Sequence, residues 1–160
     1  MRGGFNFVQN PMAKLIRTTS DHPDFISLVR LLDADLAKRD GDEHSFYAQY
    51  NKIAMLKYVV VAYESAKAIG CGAIKEQAPG MMEVKRMYVL PENRKHGIAT
   101  LILTELEQWA AELRYGSCVL ETGKRQPEAI ALYTRNGYKI IPNYGQYVGI
   151  DNSVCFEKKI

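Results

Sequence analysis

The residues best suited to chemistry form one continuous run, Glu83-Val84-Lys85-Arg86-Met87-Tyr88-Val89-Leu90-Pro91-Glu92-Asn93-Arg94-Lys95-His96-Gly97-Ile98-Ala99-Thr100. It reads as a strand, a short basic turn and the first turn of an amphipathic helix. A helix start leaves backbone N–H groups without intrahelical partners, and the helix dipole adds partial positive charge there. Such a place binds phosphate. Gly97 and Ala99 have almost no side chain, so a pyrophosphate can come close to the backbone. Arg94 and Lys95 bring formal charge to the same point, with His96 exposed beside them. The run lacks the Gly-Lys-Ser/Thr of a nucleoside-triphosphate loop. It also lacks the three spaced glycines of a dinucleotide fingerprint.

The elements that must hold this turn can be read from the patterning on either side. Lys14 to Thr18 reads as a first strand, and Asp21-His22-Pro23 as a helix start with proline in the first turn. Phe25, Leu28, Val29, Leu32 and Leu36 then recur at helical spacing. Glu43 to Asn51 reads as a second short helix. The β-branched run Val59-Val60-Val61 makes Lys57 to Tyr63 a strand, Ala68 to Lys75 returns, and Pro79-Gly80 turns the chain into Met81 to Leu90. Gly70 and Gly72 inside the second of these strands imply close backbone approach or a bulge. Leu101, Ile102, Leu106, Trp109 and Leu113 form a helical stripe after the basic turn. Ser117 to Glu121 is a strand, and Pro127 opens a helix that ends at Asn136-Gly137. Tyr138 to Ile141 and Val154 to Lys158 close the chain as strands. This order packs as a mixed α/β (α+β) sheet of about six to seven strands with helices on both faces.

Composition limits the partners. A chain of 160 residues that is 47% hydrophobic and 24% charged holds one domain with a sizeable core. That domain is read as 13–160, after a loose, disordered arm over residues 1–12. The net charge of +3, without a basic stripe, speaks against nucleic acid. The basic residues gather instead at Lys85, Arg86, Arg94 and Lys95, which suits a small polyanion. Cys71, Cys118 and Cys155 are far apart and sit in apolar contexts, so they read as buried free thiols. The scattered histidines at 22, 44 and 96 offer no zinc set, and no metal is expected. No run is apolar enough for a signal peptide or a membrane span, which points to a cytoplasmic protein without a membrane partner.

The pattern Arg94-x-x-Gly97-x-Ala99 after a strand ending Val89-x-Pro91 resembles the coenzyme A pyrophosphate loop of the GCN5-related N-acetyltransferase (GNAT) superfamily. A second stretch, Ala129-Ile130-Ala131-Leu132-Tyr133-Thr134-Arg135-Asn136-Gly137-Tyr138, looks like that family's Ala-x-x-Leu-Tyr-x-x-x-Gly-Phe/Tyr signature. The element order matches too, over roughly residues 14–159. The resemblance implies the GNAT fold and an N-acetyltransferase using acetyl-CoA as donor co-substrate. The acceptor would be a primary amine of a small molecule or a protein, attacking directly through a tetrahedral intermediate. The family alternative is a non-catalytic acyl-CoA-binding regulator, which would need neither an acid nor a base. A homodimer is compatible with either.

The resemblance also implies roles. Arg94, Lys95, His96, Gly97, Ile98, Ala99 and Thr100 would bind the cofactor phosphates. Met87, Tyr88 and Val89 would offer backbone groups to the pantetheine arm and the thioester oxygen, unless this is an ordinary paired strand. Glu83 would take the amine proton, its alternatives being an acceptor ligand or a plain charge at a strand start. Tyr133 would protonate the departing thiolate, or else simply pack beside Leu132. Gln126 stands where the family often has asparagine, and keeps the amide one methylene further out. Asp33, with Asp35, Asp40, Asp42 and Glu43, would build an acidic wall for a cationic amine, or a solvated face. Glu121 and the Tyr144 loop complete the expected acceptor contacts.

Overall fold

The computed structural model describes residues 13–40 and 55–160, so the expected helix at 43–51 and the arm at 1–12 lie outside the described residues. Seven strands form one sheet: β1 (Ala13–Thr18), β2 (Tyr58–Glu64), β3 (Lys67–Ala78), β4 (Met81–Val89), β5 (Ser117–Gly123), β6 (Lys139–Ile141) and β7 (Ser153–Lys159). Their spatial order is β1-β2-β3-β4-β5-β7-β6. Three α-helices accompany them among the described residues: α1 (Pro23–Asp40), α2 (Ile98–Glu112) and α3 (Pro127–Arg135).

Each boundary has a local cause. The His22 Nδ1 accepts the Asp24 N–H at 3.1 Å and so caps α1, which carries proline at its first position. The Val59–Val61 run is fully buried at the centre of β2, as expected of a strand covered on both faces. Tyr58 packs edge-on against Trp109 of α2, whereas Tyr63 donates its hydroxyl to Asp24 of α1. The odd spacing of these two tyrosines in one strand places α1 and α2 on opposite faces of the sheet. Phe25, Leu28, Val29 and Leu32 bury the inner side of α1, and Ile98, Ile102, Leu103 and Leu106 that of α2. Cys71, Cys118 and Cys155 are buried free thiols, and burial pushes the first two up to about 12 and Cys155 to about 11.

Two irregularities open the sheet. β4 and β5 run parallel but pair only over Met81–Glu83 and Ser117–Val119, after which they part. In the same stretch β4 bulges: Cys71 of β3 pairs with Tyr88 and Ala73 with Lys85, so Arg86 and Met87 together oppose Gly72. Arg86 takes φ 59°, the left-handed value a bulge residue adopts, and its carbonyl accepts the Cys71 Sγ–H at 3.4 Å. A bulge re-aims its strand. The result is a notch of about 120 Å³, lined on these strands by Glu83–Met87 and Glu121–Gly123.

Gly72 is required by this geometry. A Cβ there would lie 2.5 Å from the Met87 Sδ and 2.9 Å from a Leu106 methyl of α2. Gly72→Val is therefore expected to lower stability by about 1–3 kcal/mol through overpacking. Denaturant unfolding measures this, and an unchanged midpoint would mean that α2 can retreat from the bulge without loss. Among the described residues no helix is long and apolar enough to cross a membrane.

Candidate active site

Beyond the stretch that lines the notch, β4 runs through a single 3₁₀ turn (Pro91–Asn93) into the basic turn. Lys95 and Gly97 both adopt positive φ, 68° and 81°. Gly97 is the N-cap of α2 and offers no side-chain cap. The helical ladder begins with the Leu101 N–H on the Gly97 carbonyl at 3.0 Å. The N–H groups of Ile98, Ala99 and Thr100 therefore have no intrahelical partner. Lys95 and His96 are exposed, whereas the Ile98 side chain is buried, so Ile98 anchors the turn and can offer only its backbone. The Thr100 hydroxyl accepts from Asn136 Nδ2 at 3.3 Å, tying the start of α2 to the end of α3.

Arg94 does not simply project into solvent. Its Nε donates to the Val89 carbonyl at 2.8 Å, and its guanidinium lies 5.4 Å from the centre of the Tyr88 ring. It thereby staples the turn back onto the end of β4. The Leu90 N–H bonds to Ile69 of β3 at 2.9 Å, so strand alternation turns the N–H and C=O of Val89 toward the opposite edge, the one β5 leaves. The carbonyl is taken by Arg94, and the N–H lies on that unpaired edge.

Deeper in the notch, the Glu83 carboxylate is buried and doubly held. Tyr144 donates its hydroxyl to Oε2 at 2.7 Å, and the Lys85 Nζ stands 3.6 Å from Oε1. Glu121 accepts the Ser153 hydroxyl at 2.7 Å. Burial, followed by the nearby Glu83, raises the Tyr144 phenol far above its ordinary value, so it is a donor at any physiological pH. Tyr147 packs edge-on to Tyr144 and is likewise raised, by burial and by Glu121 and Glu83.

Tyr133 of α3 lines the same notch, its ring buried against Tyr138 and Phe156. Among the described residues its hydroxyl has no hydrogen-bond partner. Burial first, and then Glu121, raise its pKa, so it stays a protonated phenol. Gln126 is the N-cap of α3 and also lines the notch, its side chain making no cap bond.

Two sequence readings change in the structure. Asp33 is engaged by Arg86 at 3.0 Å and Asp35 by Arg39, so neither stands as a bare carboxylate in an acidic wall. The side chain of Asp40, and Asp42 and Glu43 altogether, lie outside the described residues. The basic knot also divides. Arg94 and Lys95 stay with the turn, while Lys85 and Arg86 point into the notch among carboxylates. Sequence reasoning placed Arg86 in the phosphate-binding knot and missed it as a notch residue, whereas Tyr147 belongs to the loop expected beside the site. The only local signal for Arg86 was a cation inside a strand with Val84 and Tyr88 two residues to either side.

Comparison with known proteins agrees with this geometry. The model of the acetyltransferase (GNAT) family matches residues 25–138. An uncharacterised N-acetyltransferase of Schizosaccharomyces pombe is 36% identical over 87 residues, 54% of this chain and 53% of that protein. The chain thus spans about half the length of that relative. A solved Klebsiella pneumoniae protein, considered an acyl-CoA N-acyltransferase, superposes with a TM-score of 0.78 at 31% identity, over 94% of this chain and 99% of that one. A GNAT family acetyltransferase of Elizabethkingia anophelis, solved with acetyl-CoA bound, shares the fold with a TM-score of 0.68 at 16% identity, over 94% and 100%. With the uncapped turn, the parted strands and a family match over most of its length, the chain belongs to the acetyltransferase (GNAT) family, the GCN5-related N-acetyltransferases.

Proposed function

We propose that this protein transfers an acetyl group from acetyl-CoA to a primary amine. The observation that carries the reading is that the parted stretch of β4 borders the notch and then runs directly into an uncapped helix start. That helix start has Gly97 at positive φ, and the notch lining includes the buried Glu83 carboxylate and the buried Tyr133 phenol. Those features fit the donor. The N–H groups of Ile98, Ala99 and Thr100, with Lys95 beside them, match a pyrophosphate, and the unpaired N–H of Val89 matches an amide-bearing arm laid along β4. Acetyl-CoA supplies the acetyl group as an activated thioester.

The chain's own residues then manage protons. A primary ammonium has a pKa of about 10.4, so at neutral pH it must lose a proton before it can attack. Glu83 accepts that proton, with Tyr144 fixing the rotamer of its carboxylate. Tyr133 presents an O–H to the departing sulfur, which leaves as a thiol. The Val89 N–H edge stabilises the developing oxyanion. Met87 and Tyr88 contribute through the same stretch of backbone, and Gln126 through its side-chain amide. A non-catalytic acyl-CoA binder would need the turn and the edge. Neither Glu83 nor Tyr133 would then have a task in the notch.

The test has two parts. Acetyl-CoA should raise the melting temperature, because a ligand at about 100 times its Kd adds roughly 2.7 kcal/mol to a fold it alone recognises. Replacing Gly97 by valine, together with Arg94→Ala, should remove that shift. A panel of amines with acetyl-CoA should release free thiol. An unchanged melting curve at millimolar acetyl-CoA would overturn the reading.

A further inference from the structure

Arg86 lines the notch but has no task in the chemistry above. Its side chain is only 4% exposed, yet it carries a full charge. Asp33 of α1 satisfies Nη2 alone, with its two oxygens at 3.0 and 3.2 Å. Nε and Nη1 are buried without a hydrogen-bond partner among the described residues. A buried cation left with free donors is costly to keep, and such groups persist where something else completes them. The bulge makes this placement deliberate. The left-handed φ of Arg86 turns its side chain out of the regular alternation of β4, to the side where α1 supplies Asp33.

We infer that the acceptor amine carries its own carboxylate and that Arg86 receives it. This deepens the acetyltransferase reading and rests on it. The notch holds both signs of charge: Glu83 of β4 and Glu121 of β5 for the ammonium, Lys85 and Arg86 of β4 for an anion. Lys85 faces Glu83 at 3.6 Å, whereas Arg86, whose pair with Asp33 uses only Nη2, keeps Nε and Nη1 without partners among the described residues. Planar guanidinium N–H groups match a carboxylate. A phosphate, with nearly two negative charges, would face Asp33, Glu83 and Glu121 together and is the poorer match. Leu32 and Leu36 of α1 border the same space and offer an apolar wall to the carbon skeleton between the two charges. The substrate class is thus a zwitterionic, amino-acid-like amine.

Matched pairs differing only in this charge decide the matter. The full chain with acetyl-CoA is assayed by thiol release on phenylalanine against phenylalaninamide, and on methionine against methioninamide. The acid of at least one pair should exceed its amide in kcat/KM by on the order of 100-fold, the scale of losing one partner from a buried charge pair. Arg86→Met should erase that ratio, and Arg86→Lys should restore part of it. The melting curve of each variant, with and without acetyl-CoA, reports whether it folds. If Arg86→Met does not, the wild-type ratio still decides. Amides or simple amines turned over as well as the acids would overturn the inference and leave acetyl transfer intact. So would a preference for acids that survives in a folded Arg86→Met. No release with any carboxylated amine overturns it too, and if acetyl-CoA also fails to stabilise the protein, the underlying reading falls with it.

Discussion

Tyr133→Phe is expected to lower kcat by roughly 10²–10⁴-fold, the range of general acid catalysis, with acetyl-CoA affinity unchanged. The ring would remain between Tyr138 and Phe156. The lost hydroxyl has no hydrogen-bond partner among the described residues, so its removal strands no neighbouring donor or acceptor and should cost little stability. The substitution therefore isolates the proton. Single-turnover thiol release, alongside acetyl-CoA titration, makes the distinction. Weakened acetyl-CoA binding with kcat intact would assign the tyrosine to packing instead.

Glu83→Gln is expected to slow turnover near neutral pH by roughly 10²-fold. The glutamine carbonyl can still accept from Tyr144, so the loop at residues 144–147 keeps its anchor while the base is gone. At high pH the amine sheds its proton to solvent, and the variant should recover part of the wild-type rate. A uniform loss across pH with a raised acceptor KM would instead make Glu83 a ligand of the ammonium. Wild-type rates from pH 6 to 9 would remove it from both roles.

Which parts of this could be read from the chain follows from the range of the interactions. Val59–Val61, the stripe of α2, and Pro127 with Asn136-Gly137 are local signals, and the elements formed where those signals lay. Gly70 and Gly72 announced a tight spot because a glycine in a strand has few other reasons to be there. The notch itself was not legible. It depends on β7 inserting beside β5, so that the last strands pair in an order the sequence does not run in. It also depends on a left-handed arginine, a conformation no residue-type preference would assign to Arg86. The contacts that define each candidate role join distant positions: Asp33 to Arg86, Glu83 to Tyr144 and Glu121 to Ser153. Charge type was visible in the sequence, but the pairing of those charges was not. That is why Asp33 read as an open acid and Arg86 as part of a phosphate site.

The parting of β4 from β5 also gives this sheet a third edge. An ordinary open sheet has two edge strands, here β1 and β6, where unpaired backbone invites another chain to add on. The stretch of β4 beyond Glu83 is a further such invitation, set in the middle of the molecule. The features beside it are those that guard edges elsewhere: a bulge that breaks the flat register, inward-pointing Lys85 and Arg86, and Arg94 occupying the Val89 carbonyl. They make the edge unattractive to a strand of protein. Self-association through this edge is thus discouraged by the same residues that shape the notch.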